Sequence, residues 1–326
     1  MTNIGALLFI LALGLLIPAL ILYPPNPQFA VGGALEDTRV IGEDFPKRLI
    51  DPLGDRHWLT KPPRRIASAN LASDEILTEL VSLERLVSVS YLVDDPGISN
   101  AAGHYPKAIP RNHGRIEELV AASPDLVILS PHSDALTVRR LLRMGVPVAR
   151  FTTLGGLAGV RENIRTLGAI VGEKARAEAL IERIYSRVAN IGDRIIGQPP
   201  PRVLFYNLNG STGGPNSLTD EMIGLAGGYN VIRDTAITGY RRITPELAIA
   251  LQPEILILDD WFGSGHSARE LLGADPAWQQ VPAIRNRQIH PLRGAWVTTG
   301  SQYCVAGIEA IAKILHPGRF GITGRL

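Results

Sequence analysis

Only one cysteine, Cys304, occurs in 326 residues, so no intrachain disulfide can form. An excess of one charge is missing as well. Thirty-three Lys and Arg against 31 Asp and Glu leave a formal net charge of +2, and there is no basic run, so the footprint of a nucleic-acid binder is not present. The seven histidines form no His-Glu-x-x-His or His-x-His pair, which gives no signal for a local zinc site. Gly210–Gly214 (GSTGG) lacks the Gly-Lys-Ser/Thr ending of a phosphate loop, and Gly263–Ser267 (GSGHS) lacks the context of a nucleophile elbow. Both read as turns. Cys304 lies in a helical stretch beside Val305 and Ala306 and reads as packing. With no nucleophile–base pair and no cofactor loop, enzyme chemistry is not expected, nor is a resident metal or cofactor.

What is present is a packed globular composition, 45% hydrophobic and 20% charged, long enough for two domains. Ile4–Tyr23 is an uncharged run that can span a bilayer core. Its n-region is only Met-Thr-Asn, and Gly32-Gly33-Ala34 is the best cleavage candidate. We therefore expect residues 1–23 to be an export signal, cleaved or kept as a membrane anchor, with 24–45 as a linker. The remainder then lies outside the cytoplasmic membrane. No cysteine follows the run, which excludes lipid attachment.

The longest pattern is Glu173–Ile196. Leu180, Ile184, Val188, Ile191 and Ile195 fall on one helical face, with Gly172 before the segment and Gly197 and Pro199–Pro201 after it. Such a helix is about 36 Å long. Similar segments flank it. Ile116–Leu129 and Pro245–Leu258 each read Glu, short helix, Pro, acidic residue, apolar strand, with Glu117 to Pro124 and Glu246 to Pro253 equally spaced.

Before the long helix, Arg48–Thr60 reads as a hairpin. Arg65–Ala69 and Leu86–Tyr91 read as strands around a helix from Asp74 to Ser82 capped by Ser73. Helix 115–123, strand 125–130, helix 134–144, strand 146–151 and helix 159–172 follow. After the long helix come strand 202–207, helices 218–226 and 246–251, strand 255–259, helix 268–272, strand 288–291 and helix 303–315. Strands separated by helices imply parallel sheets covered on both faces.

Polar and aromatic residues gather after the strands, where open α/β sheets bind ligands. They are Asn70; Tyr91; Tyr105 and Arg111 within the irregular Gly103–Gly114; Tyr206 and Asn207; Tyr240, Arg241 and Arg242; Trp261; and Trp296. Trp58 and Trp278 read as core or interface packing.

The order of these segments resembles the periplasmic substrate-binding proteins of ABC importers for iron–siderophore complexes and vitamin B12, the class III, helical-backbone group. LIDPLGDRHWLTKPPRR (49–65), IASANLASDEILTEL (66–80), the two Glu–Pro-Asp/Glu units, SLTDEMIGLAGGYN (217–230) and WQQVPAIRNRQI (278–289) carry the likeness, which covers residues 46–316. The resemblance implies two Rossmann-like lobes of mainly parallel sheet, 46–172 and 198–317, joined by the helix at 173–197, with a tail at 318–326. It implies a ligand cleft between the lobes and a monomer that delivers a metal chelate to a permease dimer with its cytoplasmic ATPase. It implies that Glu117 and Glu246 dock to permease arginines.

The ligand is open. Arg111, Arg241 and Arg242 suit a ferric siderophore, the favoured reading. Tyr91, Trp261 and Trp296 suit the face of a cobalamin corrin. Tyr105, His104 or His113 suit haem iron. A membrane-anchored sensor or interaction protein on the same fold is the alternative function.

Overall fold

The computed structural model describes residues 37–130, 132–151, 156–260, 264–297 and 300–321; the expected signal or anchor at 1–23 and Trp261 lie outside the described residues. Among the described residues no helix is long and apolar enough to cross a membrane.

The described chain opens on a three-stranded antiparallel sheet, β1 (Arg39–Ile41), β2 (Lys47–Ile50) and β3 (Arg56–Leu59). The β2–β3 hairpin was expected, and its turn is held by Asp51, whose Oδ1 accepts the N–H groups of Leu53 and Asp55 at 2.8 and 3.1 Å. Strand β1 falls inside the stretch read as linker, because its order comes from pairing with β2 rather than from its own pattern. Trp58 is exposed, with Arg48 over its ring at 5.1 Å, so it is not core.

Two parallel sheets follow. The first contains β4 (Ile66–Ser68), β5 (Leu86–Ser90), β6 (Arg111–Asn112), β7 (Leu126–Leu129) and β8 (Val148–Arg150) in the order β6-β5-β4-β7-β8. The second contains β9 (Arg202–Tyr206), β11 (Tyr229–Asn230), β13 (Ile255–Asp260) and β14 (Ile289–Arg293) in the order β11-β9-β13-β14. Strands β10 (Ser211–Gly213) and β12 (Tyr240–Arg242) form a separate antiparallel pair. The helices are α1 (Leu71–Leu80), α2 (Ile116–Val120), α3 (Ala135–Arg143), α4 (Gly156–Val171), α5 (Lys174–Ile195), α6 (Leu218–Leu225), α7 (Pro245–Ala250), α8 (Ser264–Ala274), α9 (Pro282–Arg285), α10 (Gly294–Val297) and α11 (Cys304–Leu315).

The repeat read from the two Glu–Pro units is therefore a repeat of sheet order. In each half the chain steps from the first strand to one side, β4 to β5 or β9 to β11. It then returns through a short helix, α2 or α7, to the other side, β7 and β8 or β13 and β14. The apolar runs suit strands covered on both faces. In the second sheet Val203, Phe205 and Ile257 face one buried cluster, and Leu204, Tyr206 and Leu258 face another that holds Trp278.

Helix α1 begins earlier than its sequence suggested. Asn70, not Ser73, is its cap, its Oδ1 accepting the Ala72 N–H at 3.1 Å. Both residue types cap helices well, and tertiary position decides between them.

Helix α5 has the expected bounds to within one residue. It packs against α4 and α1 before it and α6 and α11 after it. One apolar cluster contains Ile66 and Ile128 from the first sheet, Leu180, Ile184 and Ile191 from α5, and Val203, Ile257 and Ile308 from the second half. Arg183 pairs with Glu79 of α1 and Arg187 with Glu309 of α11, each at 2.8 Å. Exposed pairs are worth about 0.2–1 kcal/mol, whereas each buried Leu or Ile contributes about 1.5–3 kcal/mol. Packing, not charge, seats this helix in both halves.

Helices α4 and α5 approach closely at Gly168 on α4, where an added Cβ would lie 2.4 Å from the Ala177 Cβ. Gly168→Val is expected to lower stability by about 1–3 kcal/mol in urea unfolding. Gly192→Ala, on the open side of α5 with nothing within 4 Å, should be neutral or stabilise by up to about 1 kcal/mol. Equal losses at both positions would contradict this packing.

Candidate functional site

A strand order that reverses about its first strand leaves a crevice at the carboxyl ends of the two strands that part. Here these are β4 and β7 in one lobe and β9 and β13 in the other. Asn70 follows β4, Ser130 and His132 follow β7, Asn207 follows β9, and Asp259 and Asp260 close β13.

On the first wall, Tyr91 opens a turn capped by Ser90, whose Oγ accepts the Leu92 N–H at 3.2 Å. The Tyr91 ring is 48% exposed and stacks on His113 with centroids 4.5 Å apart. Behind His113, Glu118 accepts its backbone N–H at 2.6 Å and faces its Nδ1 at 3.4 Å. The wall thus presents a flat pair of rings with a carboxylate orienting one of them.

Arg111 and Tyr105 are spent inside this wall. Arg111 makes a bidentate pair with Asp94, both bonds 2.8 Å, and donates to the carbonyls of Tyr105, Pro106 and Ile109. That pair holds the Asp94 carboxyl below its ordinary range and the Arg111 guanidinium above its own. Tyr105 is buried, and its hydroxyl donates to the Asp74 carbonyl. Neither offers the free group expected from its place after a strand. Asn70 is also buried; its Oδ1 is used by the helix cap, while its Nδ2 has no hydrogen-bond partner.

On the second wall, Tyr240 is 41% exposed, with its hydroxyl 3.2 Å from Thr219 Oγ1. Arg241 and Arg242 follow it on β12, both exposed. Asn207 donates through Nδ2 to both Asp259 oxygens at 2.7 Å, which fixes the end of β9 to the end of β13. Tyr206 points the other way. It is buried against Trp278, 5.4 Å between ring centroids, and burial raises its hydroxyl pKa. Trp296 is half-buried on α10, with the Arg293 guanidinium 5.9 Å from its ring centroid. Glu117 and Glu246 are exposed in the first turns of α2 and α7. The Glu246 carboxyl is lowered by its own backbone N–H and by the Thr244 hydroxyl.

Contacts between the walls were not foreseen. Arg293, closing β14, donates to the carbonyls of Pro96 and Ser99, and the Glu221 carboxylate of α6 accepts the Leu157 N–H of α4 at 2.6 Å. Gly156 beside it has φ +64°, and an added Cβ would collide with that carboxylate. Among the described residues no group of three or more His, Cys, Asp or Glu is placed to hold a metal ion.

The sheet order, the crevice at the strand ends and the helix seated in both halves define a two-lobed solute-binding architecture. The chain belongs to the periplasmic binding protein family, whose sequence profile matches residues 66–294. A cobalamin-binding protein of Halobacterium salinarum is 28% identical over 220 residues, 65% of this chain and 58% of that protein, so the chain spans less than two thirds of that relative's length. A vitamin B12-binding protein of Vibrio parahaemolyticus is 25% identical over 245 residues, 73% of this chain and 84% of its own. The structure of the periplasmic heme-binding protein RhuT from Roseiflexus sp. RS-1, in apo form, is similar at TM-score 0.67 and 25% identity, covering 78% of this chain and 99% of its own. The family resemblance read from the motifs is borne out. These proteins bind solutes and are not enzymes, and the family is periplasmic.

The first wall rests on a buried carboxyl. Asp74 is fully buried beneath Ser90, whose N–H reaches its Oδ2 at 3.2 Å, and burial raises its pKa well above the ordinary value. A carboxyl raised in the folded state contributes stability at low pH and loses it as pH rises through the folded pKa. Asp74→Asn should therefore raise the melting temperature relative to the parent at pH 8, with the gain shrinking on acidification. A loss that is the same at pH 5 and pH 8 would contradict that assignment.

Proposed function

We propose that the chain is the periplasmic binding component of an ABC importer and that its ligand is a corrinoid of the cobalamin type. The observation that supports this is the exposed Tyr91–His113 stack in the first lobe, beside which we set the half-buried Trp296 and the exposed Tyr240 of the second. Flat apolar faces with few polar groups suit a large macrocycle. The names of the Halobacterium and Vibrio relatives support the same ligand class. The siderophore reading counted three arginines. Arg111 leaves that count because Asp94 and three carbonyls occupy its donors, and Arg241 and Arg242 remain for polar groups at the ligand's rim. Haem is a second reading, supported by the exposed His113 imidazole and the likeness to RhuT.

The transport half of the proposal rests on Glu117 and Glu246. They occupy the same point of each repeat and are exposed, so both are available to arginines of a permease dimer.

Tryptophan fluorescence of the full-length chain in detergent should be quenched by cyanocobalamin more strongly than by ferric siderophores or haemin. Tyr91→Ala should weaken binding by about 1 kcal/mol, roughly fivefold. Quenching by haemin alone would select the second reading, and no quenching by any of the three would remove the ligand class. Glu117→Arg with Glu246→Arg should abolish import in cells while leaving affinity unchanged. Surviving import would overturn the docking role.

A further inference from the structure

Five polar side chains from the two halves of the chain meet in one cluster. Glu75, on α1 of the first lobe, is 0% exposed. Its carboxylate accepts the Asn100 N–H at 2.7 Å, Asn100 Nδ2 at 3.0 Å and Ser301 Oγ at 2.5 Å. Its backbone carbonyl accepts Gln302 Nε2 at 2.7 Å. Ser301 and Gln302 belong to the second lobe, just before α11. Asn100 also donates to the Ala295 carbonyl of α10 at 2.8 Å. Arg293 completes the set. Its Nη2 donates to the carbonyls of Pro96 at 2.8 Å and Ser99 at 2.9 Å, and its Nη1 lies 3.4 Å from Asn100 Oδ1.

A carboxylate with no solvent must be fully supplied with donors, and here Ser301 of the other lobe is among them. Separating the lobes by a few ångströms would leave Glu75 short of a donor and several carbonyls without one. Arg293 adds geometry to this. The segment it clamps, Pro96–Asn100, continues directly from the turn that carries Tyr91, and its guanidinium lies over the ring of Trp296. One side chain thus touches an aromatic of the second wall and the support of the aromatic on the first.

We propose that Arg293, with Asn100 and Glu75, is a positioning group that sets the distance between the cleft walls and the orientation of Trp296 before ligand arrives. The proposal deepens the binding reading given above but does not depend on which ligand is bound. If these contacts hold the lobes in the competent state, weakening them lowers that state's population, and apparent affinity falls by the same fraction.

The test measures lobe separation without ligand. Spin labels at Arg139→Cys on α3 and Glu270→Cys on α8, both exposed positions, report the distance by pulsed electron resonance in the full-length chain. The native Cys304 is buried, with its thiol pushed up to about 12 by burial, and takes no label. The parent should give one narrow distribution. Arg293→Gln and Asn100→Ala should broaden it, change the Trp296 fluorescence, and weaken cyanocobalamin binding on the order of 10- to 100-fold. Arg293→Lys should restore part of the narrow distribution. Should Arg293→Gln fail to fold, Ser301→Ala, which removes one donor from Glu75, serves in its place. An unchanged distribution in the folded variants overturns the proposal even if binding is weakened. A broadened distribution in a chain that binds no corrinoid upholds the positioning role and removes the ligand reading instead.

Discussion

A helix 22 residues long is a stiff rod of about 33 Å, and α5 has one apolar stripe for two lobes. Leu180, Ile181 and Ile184 along that stripe, and Ile191 further on, are buried in a cluster that includes strands of both sheets. Neither lobe can move far without uncovering part of that stripe, which the helix cannot bend to follow. The separation of the two crevice walls is therefore set first by packing on α5. The polar contacts of Arg293, Asn100 and Glu75 on the cleft side then act on lobes already held close, and need only fix the last ångströms. Both constraints point to a site largely formed before binding, where little affinity is lost to closing the protein around the ligand.

The sequence carried the parts of this design that repeat or persist. Steps of four, four, three and four along Leu180–Ile195 marked α5 because a long helix repeats its signal many times. The apolar runs at Leu126–Leu129 and Ile255–Leu258 marked central parallel strands because both faces are covered. Short edge pieces were not legible. Arg111–Asn112 and Tyr240–Arg242 are polar strands of two and three residues whose order comes from the neighbours they pair with. Arg39–Ile41 was hidden among linker residues for the same reason.

The site was legible as a place more than as a set of contacts. Position after a strand singled out Tyr91, Asn207 and Tyr240 as candidates. It could not show that Arg111 is consumed by Asp94, 17 residues away, or that Tyr105 turns inward to the Asp74 carbonyl. Nor could it pair Glu75 with Ser301, since 226 residues separate them. One local sign existed. Glu75 stands directly before Ile76 and Leu77 on a helix that is otherwise mostly buried, and an acid in that position has to find partners.

In this proposal a corrinoid enters a crevice whose walls are already in place. The decisive measurement is a crystal structure of the full chain with cyanocobalamin. The macrocycle should lie between the carboxyl ends of β4 and β7 and those of β9 and β13, against Tyr91 and Trp296, with the Arg293 contacts to Pro96 and Ser99 intact. A macrocycle bound elsewhere, or lobes rotated so that those contacts are broken, would contradict it.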